Sequence, residues 1–111
     1  VTAAALGRVL TARGRLDDAL PHIRAALATL AAELPAGHHL VAGSRRDLGH
    51  WHALRGDFAT AEPLLRDSYA TLLADRGADH YLTREARQYL HDLYVRWGKP
   101  QIAASYAQAP E

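Results

Sequence analysis

The 111-residue sequence predicts an all-α fold of antiparallel helical hairpins, about six helices stacked into a right-handed solenoid. Three observations predict it. Glycines return every 42 residues, at Gly14, Gly56 and Gly98. The same apolar frame surrounds each of them, with Leu6, Leu48 and Leu90 eight residues before and Ala19, Ala61 and Ala103 five after. Apolar residues elsewhere recur at helical spacing, and no segment alternates as a strand would. A fixed period between 20 and 50 residues marks an architecture of stacked repeats.

The elements follow in order, as helices over roughly 2–13, 16–34, 39–55, 58–76, 81–97 and 100–108. The first carries Leu6 and Leu10, with Ala5 and Val9 on a further apolar face. The second shows Ala19, Leu20, Ile23, Ala26, Leu27, Leu30 and Leu34, an amphipathic stripe. The third starts after the Pro35-Ala36-Gly37 joint and carries Leu48. The fourth repeats the second one period later, with Ala61, Leu64, Leu65, Tyr69, Leu72 and Leu73, and the fifth shows Leu82, Ala86, Tyr89, Leu90, Leu93, Tyr94 and Trp97. The sixth stops early, as a terminal cap would.

Each 42-spaced glycine ends one helix just before the next begins, because only glycine enters the left-handed region cheaply. So short a joint makes an antiparallel hairpin. Asp17 and Asp57 are candidate caps of the second and fourth helices. Pro21 and Pro63 fall early in them, where a missing N–H costs least. Arg55-Gly56-Asp57 has the form of an adhesion tripeptide, but its repeat equivalents read Arg13-Gly14-Arg15 and Trp97-Gly98-Lys99. It is one copy of a structural turn.

Composition narrows the function classes. Thirteen basic and twelve acidic residues give a net charge of +1, which argues against nucleic acid as a partner. No apolar run is long enough to span a membrane. The absence of cysteine excludes disulfides and thiolate metal sites and fits a reducing, cytoplasmic setting. The chain begins at Val1 without a methionine and reads as the C-terminal part of a longer protein. No phosphate-cradling glycine loop or kinase catalytic loop is present. Seven histidines are present, yet His38-His39 and His50-x-His52 lack the i, i+4 spacing that places two imidazoles on one helix face. Neither catalytic residues, a metal nor a cofactor is expected. His38 and His80 stand 42 residues apart, each near a helix start, which argues for a structural role.

These residues resemble the tetratricopeptide repeat. That family's helix-turn-helix is matched by Leu6, Gly7, Leu10, Gly14, Ala19, Ile23 and Ala26 in the first copy, and by Leu48, Gly49, His52, Gly56, Ala61, Leu65 and Ser68 in the second. The third supplies Leu90, Tyr94, Gly98, Ala103 and Ala107, with His91 where glycine is usual. The resemblance implies one domain over 1–111, with repeats at about 1–37, 38–79 and 80–111. Its 42-residue period resembles the kinesin-light-chain-like subclass. The segments at 34–49 and 59–100 resemble the final repeats of bacterial serine/threonine protein kinases with C-terminal repeat arrays. A repeat array of a transcriptional regulator and a purely structural cap are the alternative readings.

The resemblance also implies a function in protein–protein interaction. The first helix of each hairpin lines a concave groove for peptide ligands. Mapped onto this sequence, the groove residues are Arg8, Arg46, His50, Gln88 and Asp92, joined by Arg96. Two guanidiniums and a histidine on adjacent helices suit a carboxylate or an acidic peptide. One short groove would bind at the order of micromolar, about 8 kcal/mol. The Ala5–Val9 face of the first helix, if exposed, favours self-association.

Overall fold

The computed structural model describes residues 2–109 as α1 (Ala3–Ala12), α2 (Leu16–Glu33), α3 (His39–Leu54), α4 (Phe58–Arg76), α5 (Tyr81–Arg96) and α6 (Pro100–Ala104). Val1, Pro110 and Glu111, where the chain's beginning and end were read, lie outside the described residues. The described residues contain no strand. Consecutive helices pair as the hairpins α1–α2, α3–α4 and α5–α6, and each hairpin packs its second helix on the first helix of the next. Helix α3 also touches α1 and α5, whereas α2 and α4 do not touch each other. The stack is therefore tighter on the α1–α3–α5 side, which is its concave face.

One turn is built three times. After α1, the Gly14 N–H donates to the Thr11 carbonyl and the Arg15 N–H to the Leu10 carbonyl, at 3.0 and 2.9 Å. Gly56 and Asp57 bond to Ala53 and His52 in the same way, and Gly98 and Lys99 to Val95 and Tyr94. This pair of bonds closes a helix by the Schellman geometry, which needs a residue in the left-handed region. Gly14, Gly56 and Gly98 supply it with φ of 76, 80 and 76°. Within Arg55-Gly56-Asp57, Arg55 reaches Asp17 at 3.1 Å and lies over the Trp51 ring, while the Asp57 carboxylate accepts from the Thr60 N–H. All three residues of the tripeptide are committed to the fold.

The caps differ from expectation in one case. Asp57 is the N-cap of α4, but Arg15 precedes α2 without a side-chain cap, and Asp17 stands inside the first turn beside Asp18. Arg15 pairs with Asp18 at 2.7 Å instead. Pro21 and Pro63 are each the sixth residue of their helix, one turn deeper than the free N–H groups extend. Each therefore takes one hydrogen bond from a carbonyl, that of Asp17 or Ala59, and both of these residues are exposed. His38 and His80 begin α3 and α5 as caps.

Gly7 and Gly49 let the two helices of a hairpin close. A Cβ on Gly7 would stand 2.8 Å from Ile23 Cγ1, and one on Gly49 would stand 2.8 Å from Leu65 Cγ. Sixteen residues separate the partners in both hairpins, and the same offset pairs His91 with Ala107. There the large and small residues have changed places, so the knob that holds the second helix against its partner is missing. Helix α6 accordingly ends at Ala104 and not at 108. Tighter i+3 bonds follow at Ser105, Tyr106 and Ala107. The Tyr106 ring lies 5.8 Å from Tyr94 and 6.0 Å from Tyr69.

The core follows the repeat. Ala19, Ile23 and Trp51 join the first two hairpins, with the Trp51 Nε1–H donating to the Leu16 carbonyl at 2.8 Å. Ala53, Ala61, Leu65, Leu90, Leu93, Tyr94 and Ala103 join the second and third. Ala42, Leu72, Leu82 and Ala86 fill the far end of the same layer. The Ala–large pattern of each second helix is thus what the next hairpin packs upon.

Candidate functional site

The concave face draws one residue of each register from α1, α3 and α5. Arg8, His50 and Asp92 share one register, Arg46 and Gln88 a second, and Arg96 opens a third. Shared register does not give shared exposure. Helix α3 is flanked on both sides, and its long side chains are covered by its neighbours.

Arg46 is the clearest case. Its side chain is fully buried. Nη2 and Nε donate to Asp47 Oδ1 at 2.8 and 3.2 Å, Nη1 stands 3.0 Å from Glu85 Oε2, and Nη1 reaches the Leu82 carbonyl at 3.4 Å. The guanidinium also lies over the Tyr89 ring, 5.6 Å from its centroid. Arg46 therefore ties α3 to α5 and offers no free fork to a ligand, contrary to the sequence-based expectation. The physical reason is its central helix: α5 supplies a carboxylate and a ring within reach. A desolvated guanidinium needs such partners. Burial raises the Asp47 carboxyl above its ordinary range, with Arg46 and then Arg8 opposing.

His50 is also not the cation expected of it. Its ring stacks on Tyr89 at 3.8 Å with an interplanar angle of 4°. Burial lowers its pKa to about 4; Asp92 opposes the shift, and Arg96 and Arg46 add to it. The imidazole is neutral near pH 7 and forms an uncharged platform with Tyr89.

The other four positions face solvent to different degrees. Arg8 is 44% exposed, with a long contact of 4.0 Å to Asp47. Gln88 and Arg96 are exposed. Gln88 donates to Asp92 Oδ1 at 3.0 Å, and His91 Nδ1 lies 3.3 Å from the same oxygen, so that carboxylate is already engaged. Arg96 has no ion-pair partner among the described residues. The available charges of the face are thus Arg8 near one end and Arg96 near the other. Between them, Arg8, Thr11, Ala12, Asp47, His50 and Tyr89 line a cleft of about 50 Å³. A shallow depression runs on past Leu16 and Leu54 to Arg96.

Sequence reasoning missed Tyr89, Asp47 and Glu85. In the sequence Tyr89 reads as one of the apolar residues of the fifth helix. Its register, shared with Asp47, was the available signal for the groove floor. Among the described residues no three His, Asp or Glu side chains are grouped to hold a metal, and no helix is long and apolar enough to cross a membrane.

A family model described as tetratricopeptide repeat matches residues 1–74, which takes in α1, α2, α3 and most of α4. No curated protein matches the chain. The third hairpin lies beyond the matched residues but repeats the same turn, the same alanine and the same histidine cap. The chain belongs to the tetratricopeptide repeat family.

Proposed function

We propose that the chain is a non-catalytic binding module whose concave face, lined by α1, α3 and α5, takes an extended acidic segment of a partner protein. The observation that carries the reading is the distribution of charge on that face. Among the described residues every carboxylate there has a partner in the fold, whereas Arg96 has none and Arg8 only a long one. The neutral His50–Tyr89 stack between them offers an apolar floor to a peptide backbone. The two rim cations would place its acidic side chains.

The test is selection from a random-sequence peptide library, followed by binding to a variant with R8Q and R96Q. Selected peptides should be rich in Asp and Glu, and the variant should lose about tenfold or more in affinity with an unchanged melting temperature. Arg46 is unsuitable for this test because its loss would disturb the fold. Selected peptides without acidic bias, or affinity indifferent to both substitutions, would remove the reading.

The parent protein we propose is a bacterial serine/threonine kinase, cytoplasmic, in which these hairpins close a C-terminal array of kinesin-light-chain-like repeats. The 42-residue period and the resemblance of 34–49 and 59–100 to such arrays support it. The third hairpin acts as the cap, supported by His91 in the close-contact position and by the short α6. The other end of the stack supports the continuation of the array on that side. Val9 is 48% exposed, while its repeat equivalents Trp51 and Leu93 are buried against the preceding hairpin. Sequencing the coding region upstream of Val1 tests the parentage: a kinase catalytic loop before further repeats supports it, and a DNA-binding domain overturns it.

A further inference from the structure

The starts of the second and third groove helices, α3 and α5, are held by imidazoles. The His38 Nδ1 accepts from the Leu40 N–H at 3.1 Å, and the His80 Nδ1 accepts from the Leu82 N–H at 3.2 Å. Both caps have extended backbone, with φ, ψ of −70, 139° and −66, 140°. The hydroxyl of Thr2 performs the same task for α1, and the carboxylate of Asp57 for α4. An imidazole differs from both, because protonation on Nδ1 turns its acceptor into a donor. The resulting cation also opposes the positive end of the helix dipole.

We propose that His38 and His80 make the starts of α3 and α5 a proton-sensitive latch, closed while the two imidazoles are neutral and released when they are protonated. The surroundings couple the two caps. His38 stacks on His39 with centroids 4.4 Å apart, His39 meets His80 edge-on at 6.2 Å, and His80 stacks on Tyr81 at 4.8 Å. The charged groups facing this cluster come from α4: Arg76 Nη2 lies 2.8 Å from His39 Nδ1, and Asp75 Oδ2 lies 3.5 Å from it. Asp79 immediately precedes His80 in the chain. Burial lowers the His39 pKa; Arg76 and His38 add to the shift, and Asp75 opposes it. Two cations either side of a ring that itself resists protonation would repel each other across the joint between α3 and α5.

Release reaches the concave face through short covalent paths. Leu82, whose N–H the latch holds, gives its carbonyl to Arg46. The next residue, Thr83, donates its hydroxyl to the Leu72 carbonyl at 3.2 Å. Freeing the first turn of α5 loosens the place where α3, α4 and α5 meet. This holds whether or not the groove takes a peptide.

The test is amide hydrogen exchange of the whole chain at about pH 7.5 and about pH 5.5, corrected for intrinsic rates, with a variant carrying H38N and H80N. Asparagine caps through an oxygen that does not titrate. The lower pH stays above the region near 4 where His50 takes up its proton. Protection of the Leu40 and Leu82 amides should fall about fivefold or more on acidification in the native protein and stay level in the variant. Equal protection at both pH values in the native protein, or an equal fall in the variant, overturns the proposal. If the double variant does not fold, each single variant should lose the response at its own helix only. Nitrogen-15 spectra near pH 7.5 give an independent readout. Both imidazoles should carry their proton on Nε2, and a proton on Nδ1 at either residue also overturns the proposal.

Discussion

Replacing His50 by phenylalanine keeps a ring against Tyr89 and removes the imidazole from the groove floor. Burial holds the folded-state pKa of His50 at about 4, against an ordinary value of 6.5. A lowered pKa in a base means that the unfolded chain binds the proton more tightly than the folded one. The stabilisation is therefore fully present above pH 6.5 and is lost as pH falls through about 4. Complete desolvation would make the shift worth about 3 kcal/mol, and the ring's partial access to the groove reduces this to about 2. Asp47 works in the opposite direction, since its raised carboxyl pKa adds stability as pH falls, and His39 works in the same direction as His50. Both groups remain in H50F, so their effects cancel in the comparison. Urea unfolding followed by circular dichroism at about pH 7.5 and about pH 4.5 supplies the four stabilities. On acidification the native protein should lose about 2 kcal/mol more than H50F. Equal losses, within about 0.5 kcal/mol, would refute the reasoning and place His50 in water.

Four further predictions follow from packing, buried charge and backbone. G49A should destabilise by about 1–3 kcal/mol in urea unfolding, because its Cβ would stand 2.8 Å from Leu65 Cγ and 3.1 Å from Leu64 Cβ. G43A should instead stabilise by up to about 1 kcal/mol, since its Cβ meets Leu82 Cδ2 at an ordinary 3.6 Å and alanine favours the helix. R46M should cost about 3 kcal/mol by leaving Asp47 buried without its main partner, and adding D47L to it should recover much of that loss. G56A should lower stability by about 1–2 kcal/mol with no steric clash, since φ there is +80° and nothing lies within 4 Å of the added carbon.

The architecture was legible because every repeat writes it again. The glycine turns, the Gly7–Ile23 and Gly49–Leu65 approaches and the histidine caps each stand at fixed positions in the 42-residue frame. Local physics fixes all of them: left-handed backbone, close helix contact and an acceptor for a free N–H. The early end of α6 was legible in part. The sequence showed His91 in the glycine position, but its correspondence with Ala107 became clear only once the offset of sixteen was seen in two other hairpins. The groove was less legible, because periodicity reports which way a side chain points and not what stands in front of it. Arg46 and Gln88 share a register, yet Glu85 and Tyr89 from α5 cover Arg46, and no neighbour covers Gln88. The neutrality of His50 depends in the same way on Tyr89, thirty-nine residues away in the chain. Exposure at a middle helix is a property of three helices together, and a single helix pattern carries no record of it.

The central claim is that the α1–α3–α5 face is where this chain meets a partner. Its most direct test is to titrate the nitrogen-15-labelled protein with an acidic peptide from the library selection and map the amide shifts. The account predicts a continuous footprint from Arg8 through His50 and Tyr89 to Arg96, with the outer surfaces of α2 and α4 unchanged. A footprint confined to α2 and α4, or to the Val9 end of the stack, would contradict it.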